Sequence, residues 1–111
     1  MSRIAEGITI DNRLEEYIVS IVTASRLNNR RKADFVRFIE FGASPRASIH
    51  LYRCAKIKAL FNRRNFVLPE DVKAVAYDVL RHRIVLTYEA ESEELTPDHV
   101  IAQILDFVHV P

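Results

Sequence analysis

A chain of 111 residues supports one domain, and its 49% hydrophobic content can fill a modest core. A net charge of +1 gives no strong field to select nucleic acid or acidic lipid, the single Cys54 excludes an internal disulfide and points to a reducing cytoplasm, and no apolar run approaches the roughly 18 residues of a membrane span. With two glycines, Gly7 and Gly42, the chain can hold neither a P-loop nor a dinucleotide fingerprint, so it carries no phosphate-cradling loop of its own.

The first residues, 1–10, lack the apolar centre of a signal peptide and read as a lead-in, ordered or frayed. Asp11 is a good N-cap, and Leu14, Tyr17, Ile18, Ile21 and Val22 recur at helical spacing, which predicts a first helix from Asn12 to about Arg26. Leu27 to Lys32 is a polar, basic link. Its Arg30, Arg31 and Lys32, with Arg26, form either a phosphate-binding patch or a solvated loop tip, and Asn28-Asn29 suits a tight turn there. Phe35 to Phe41 is too apolar for a free loop. It reads as a short strand or as an apolar plug beneath the bundle, with Arg37 and Glu40 exposed.

Gly42-Ala43-Ser44-Pro45-Arg46-Ala47 has the grammar of a helix start. Ser44 can cap with its hydroxyl, Pro45 suits the first helical position, and Gly42 lets the chain enter from any direction. Arg46 is the odd choice, because a helix N-terminus carries partial positive charge and disfavours a cation by about 0.3–1 kcal/mol. An anion meeting both Arg46 and the helix end resolves the conflict, and so does a bridge to an acid such as Glu40.

The second helix is predicted from Pro45 to about Asn62. Its apolar residues, Ile49, Leu51, Tyr52, Cys54, Ala55, Ile57, Ala59 and Leu60, occupy more than one face, the pattern of a central helix. His50 and Cys54 share a face, but His82, His99 and His109 offer no matching ligand spacing, so the pair reads as a buried thiol beside a partly exposed His rather than a metal site. Cations in Asn62-Arg63-Arg64-Asn65 suit the helix end. Pro69-Glu70-Asp71 opens a third helix with a stripe of Val72, Val75, Ala76, Val79 and Leu80; Leu68 is a poor cap, which leaves this start to packing. Arg81-His82-Arg83 ends it, either serving the last carbonyls or contacting a phosphate or a neighbouring subunit. Ile84 to Tyr88 is β-rich and can pair with Phe38 to Phe41, Glu89 to Glu94 reads as an acidic mobile loop, and Thr96-Pro97-Asp98 opens a last helix that packs through Val100, Ile101, Ile104, Leu105 and Val108. The predicted fold is mainly α, a small four-helix bundle with a two-stranded β clip.

Four segments together resemble the lid domain of MoxR-type AAA+ ATPases. The family's first helix ends Ala-Thr-Arg, here Ala24-Ser25-Arg26. Its sensor-2 motif Gly-Ala-Ser-Pro-Arg-Ala stands intact at Gly42 to Ala47. Its Gly-Arg-Asp-Tyr-Val-x-Pro-Glu-Asp-Val run is matched by Arg63 to Val72, and its Leu-x-His-Arg by Leu80 to Arg83. The order and spacing fit over about Asn12 to Tyr88. The departures are Arg63 in place of a Gly, Asn65 in place of an Asp and Leu68 in place of a capping Ser or Thr.

The resemblance implies that this chain is the lid of a larger protein, in which ATP and Mg are held by a preceding P-loop domain and the nucleotide lies between that domain and the lid. It assigns Arg46, with Ser44 and Pro45, to the nucleotide, Arg46 reaching the γ-phosphate. It also implies a ring of subunits, chaperone-like remodelling in the cytoplasm and a von Willebrand factor A-type partner. Alone, the chain is expected neither to bind nor to hydrolyse ATP. The rival reading is a free-standing module: one binding nucleic acid through Arg26, Arg30, Arg31, Lys32, Arg63 and Arg64, which the near-neutral charge argues against, or one binding protein through an exposed apolar patch.

Overall fold

The computed structural model describes residues 7–26 and 34–111. Five α-helices occur among them: α1 (Asn12–Ala24), α2 (Ala47–Phe61), α3 (Pro69–Arg81), a short α4 (Tyr88–Ser92) and α5 (Pro97–Phe107). A 3-10 turn at Asp34–Phe38 leads into strand β1 (Ile39–Phe41), which pairs antiparallel with β2 (Val85–Leu86). This is the expected mainly α bundle of four longer helices with its β clip.

The bundle is held by stripes at four-residue spacing. In α2, Ala47, Leu51, Ala55 and Ala59 are fully buried, and α3 answers with Val72, Ala76 and Leu80, also fully buried. Three alanines in four positions leave little side chain between the helices, so their axes can approach closely, and this pair makes the most extensive helix contact. Beyond it, α3 packs on α5, while α1 packs on both α2 and α5. The expected stripes of α1 and α5 are the buried ones, from Leu14 to Val22 and from Val100 to Leu105.

The expectation that α2 is central fails. Only one face is buried; Ile49 is 53% and Leu60 38% exposed, and Phe61 stands in solvent. Its apolar residues are spread around the helix because the buried face needs small ones, which leaves larger aliphatics outside.

Phe35 to Phe41 satisfies both of its readings. Phe35, Val36 and Phe38 are buried in the 3-10 turn, with the Phe35 ring edge-on to Phe107 at 5.4 Å, and β1 follows. Arg37 and Glu40 are exposed as expected. The paired residues are Ile39 with Leu86 and Phe41 with Val85, with an irregularity between them. Of the acidic stretch Glu89 to Glu94 read as a mobile loop, Glu89 to Ser92 belong to α4 instead. The Thr87 hydroxyl accepts from the Ala90 N–H at 3.3 Å and donates to the Arg37 carbonyl at 3.0 Å, and Ala90 is fully buried. Those anchors outweigh the polar composition on which the loop reading rested.

Gly7 to Ile10 is an ordered lead-in. The Thr9 N–H donates to the Asn65 carbonyl at 2.8 Å, the Val67 N–H donates to the Thr9 carbonyl at 2.9 Å, and Ile8 is buried. Residues 1–6 and the Arg30-Arg31-Lys32 cluster lie outside the described residues.

Candidate functional site

The site is the loop Gly42–Arg46 and the head of α2. It is fixed from behind by Ser25, the residue after α1, which ends at Ala24, two residues short of the expected Arg26. Ser25 is 1% exposed; its hydroxyl donates to the Val22 carbonyl at 2.6 Å and accepts from the Ala43 N–H at 3.0 Å. Gly42 lies directly on this turn. A Cβ there would sit 2.0 Å from the Ser25 carbonyl oxygen and 2.9 Å from the Arg26 nitrogen. Gly42 is therefore required for close approach, not for freedom of entry: its φ is not positive. Ala43, fully buried, completes the contact.

From this anchor the chain turns through Ser44 and Pro45 into α2. The Ala47, Ser48 and Ile49 N–H groups donate three residues back, to the carbonyls of Ser44, Pro45 and Arg46, at 2.9–3.1 Å. The head of the helix is thus a tight 3-10 turn, the regular helix begins at Ala47, and Arg46 holds helical dihedrals as its flanking residue. The expected hydroxyl cap is replaced: Ser44 contributes its carbonyl, and the flanking position provides no side-chain cap. Ser44, Pro45 and Arg46 are all exposed. Among the described residues the ion pairs join Arg13 to Asp11, Arg64 to Asp71, and Arg81 to Asp78 and Asp98; Arg46 and Glu40 take no part. The site therefore presents a guanidinium without a carboxylate, on a fixed loop, at the positive end of a 15-residue helix.

At the other end of α2, Arg63 adopts φ 59°, the left-handed conformation that suits the family's glycine. The Arg63 N–H donates to Leu60 at 2.9 Å and the Arg64 N–H to Ala59 at 3.0 Å, closing a Schellman motif. Arg64 is not a free surface cation. Its two terminal nitrogens donate to Asp71 at 2.8 and 2.7 Å, and Asp71, 2% exposed, also accepts from the Leu68 N–H at 2.8 Å. So α3 does not start on packing alone: the Asp71 carboxylate reaches back to cap it where Leu68 cannot. Burial by itself would raise the Asp71 carboxyl, but the Arg64 and Leu68 hydrogen bonds and the Arg64 charge hold it below the ordinary aspartate range.

Arg81 ties α3 to the head of α5, donating to Asp98 at 2.7 and 3.1 Å and to Asp78 at 3.1 Å. Of the Arg81-His82-Arg83 cluster, His82 and Arg83 remain exposed. Cys54 is half-buried; burial first, then the Asp78 charge, pushes its thiol up, while His50 is exposed. Among the described residues no group of three or more His, Cys, Asp or Glu is placed to hold a metal.

Sequence reasoning missed Ser25 and Asp71. Each carried a local signal: a hydroxyl residue in Ala24-Ser25-Arg26 where the family has Thr, and an acid three residues after a helix start, the second half of a capping box.

The chain matches the model of the AAA lid domain over residues 32–104. It is 39% identical over its whole length to Chaperone MoxR1 of Mycobacterium tuberculosis, covering 30% of that protein, and 32% identical over its whole length to Uncharacterized protein YeaC of Bacillus subtilis, covering 32%. A crystal structure from Cytophaga hutchinsonii, described as a candidate ATPase, superimposes on 96% of the chain with a TM-score of 0.84 at 43% identity, covering 33% of that protein. The chain thus spans about a third of the length of these relatives. The bundle, the intact Gly42–Ala47 loop and these likenesses agree, and the chain belongs to the AAA lid domains, as the lid of a MoxR-type AAA+ ATPase.

Proposed function

We propose that Arg46 is the nucleotide sensor of this lid. ATP and its Mg are held by a P-loop domain elsewhere in the parent protein, the lid closes over them, and Arg46 meets the γ-phosphate with Ser44 and Pro45 at the same edge. The observation that supports this reading is an exposed Arg46 outside every ion pair among the described residues, on a loop that Ser25 fixes to α1. An unpaired guanidinium beside a helix N-terminus favours an anion, and one such charge-assisted contact is worth about 1.5–3 kcal/mol. Loss of the γ-phosphate removes that contact and lets the lid move as a lever. The parent is proposed to assemble as a cytoplasmic ring and to couple hydrolysis to chaperone-like remodelling, with a von Willebrand factor A-type protein as partner. The nucleic-acid reading loses one of its cations, since Arg64 is committed to Asp71.

The test is Arg46→Ala in the full-length parent. Its kcat for ATP hydrolysis should fall about 10²-fold or more, the loss expected when one preorganised donor to a developing charge is removed. An unchanged kcat overturns the assignment.

A further inference from the structure

The two most exposed large apolar side chains among the described residues are aromatic, Phe61 at 80% and Tyr88 at 84%. Each stands among charges of one sign, and the signs are opposite. Between Glu40 and Glu70 the sequence holds six cations and no acid; after Arg83 it holds six acids, Glu89, Glu91, Glu93, Glu94, Asp98 and Asp106, and no Lys or Arg. The net charge of +1 conceals this division. Lys58 and Phe61 are three residues apart at the end of α2, and Tyr88 and Glu91 three apart in α4, so each aromatic shares a helix face with a charge. All four side chains are exposed, and neither Lys58 nor Glu91 enters an ion pair among the described residues. The two surfaces do not cover each other within the chain: α2 packs on α3 and α1, α4 packs on the 3-10 turn, and both aromatics stand in solvent.

We propose that the Tyr88–Glu91 face of α4 docks on the Lys58–Phe61 end of α2 in a second copy of this chain, the lid of a neighbouring subunit. The proposal rests on the ring assembly given above, for which it names a contact, and it is independent of the Arg46 assignment, since Phe61 lies about 22 Å along α2 from Arg46. A second copy is the occupant because it covers both surfaces at once. Nucleic acid or an acidic protein would meet Lys58 and Arg63, but the carboxylates of α4 would repel it and Tyr88 would stay bare. A two-fold pairing of copies sets each surface against itself, like charge on like. A head-to-tail pairing sets the acids of one lid against the cations of the next, and such a contact repeats from copy to copy and closes into a ring. Phe61 and Tyr88 then supply the desolvated aromatic anchors at its centre, with Lys58, Arg63 and the α4 carboxylates around them.

The experiment places a photo-crosslinking residue at position 88 of the full-length parent ATPase, with position 23, exposed on α1, as control. Isotope-labelled and unlabelled subunits are co-assembled, so that mass spectrometry recognises cross-links between copies. These should map to residues 56–63 of the neighbouring lid. Glu91→Lys or Lys58→Glu alone should lower their yield about fivefold, the scale of one surface charge pair, and the two together should restore it. Cross-links confined to a nucleotide-binding domain, to nucleic acid or to another protein overturn the proposal. So do a yield no higher than at position 23, single variants that lose nothing, or a double variant that recovers nothing. Sedimentation of the same samples separates this contact from the ring assembly. A ring without these cross-links fells the lid contact and leaves the ring standing; a monomeric parent overturns both.

Discussion

The Ser25 hydroxyl accepts a hydrogen bond from the Ala43 N–H at 3.0 Å across 18 residues of sequence. It joins the end of α1 to the loop that aims Arg46, and the same hydroxyl donates to Val22, so both of its roles are filled. Ser25→Ala leaves the buried Ala43 N–H without its partner and should destabilise the domain by about 1–3 kcal/mol in urea melts. Ser25→Thr, which keeps the hydroxyl and matches the family's residue, should lose clearly less. Equal losses for the two variants would show that the bond contributes little.

Gly42→Ala tests the other half of the same contact. The new methyl would meet the backbone of Ser25 and Arg26, which cannot rotate away as a side chain can. The loop must move, at about 1–3 kcal/mol for forced overpacking. Because the φ at Gly42 is not positive, the penalty is steric alone. The amide chemical shifts of Ser44 to Ala47 should change in this variant, and unchanged shifts would contradict the packing described.

Asp71 sets a pH dependence of known sign. Its folded pKa lies below the ordinary value of 3.8, so its contribution is fully present above that value and is lost as pH falls through the lower folded pKa. Asp71→Asn should melt several degrees lower than the natural protein at pH 7. The two should converge as pH is lowered through 4 towards 2. A constant gap across that range would mean that the carboxylate charge is not what caps α3.

Arg63→Gly should stabilise the chain. A non-glycine residue in the left-handed region costs about 1–2 kcal/mol, and glycine returns part of that gain by loosening the unfolded state. The net expectation is a Tm rise of a few degrees. Glu94, with φ 59° at the end of α4, is a second position of the same kind. A fall in Tm for Arg63→Gly would mean that the Arg63 side chain contributes more than its backbone costs.

The isolated chain should show no nucleotide-dependent amide shifts at low micromolar ATP. It carries no cradling loop, and the one charge-assisted contact proposed for Arg46, about 1.5–3 kcal/mol, falls far short of the roughly 8 kcal/mol of micromolar affinity. Shifts centred on Ser44 to Ala47 would instead show that the lid alone carries a nucleotide site.

Much of this protein was legible in the sequence because its signals are local. Helical spacing marked the buried faces of α1 and α5, Thr96-Pro97 and Pro69 marked helix starts, and β-rich runs marked both strands of the clip. Each depends on a few neighbouring residues and the regular geometry of the backbone. The family, too, followed from short motifs in order. The tertiary structure decided what depends on two segments meeting. Only packing could show that Gly42 is small because Ser25 lies against it, that Asp71 caps α3 while holding Arg64, or that Glu89 to Ser92 belong to a helix seated by Thr87 on the Arg37 carbonyl. It also decided which face of α2 is buried. An alanine stripe and an aliphatic stripe look alike in hydrophobicity, and only the close approach of α3 selects the smaller one for the core, leaving Arg46, Ile49 and Arg53 facing outward together.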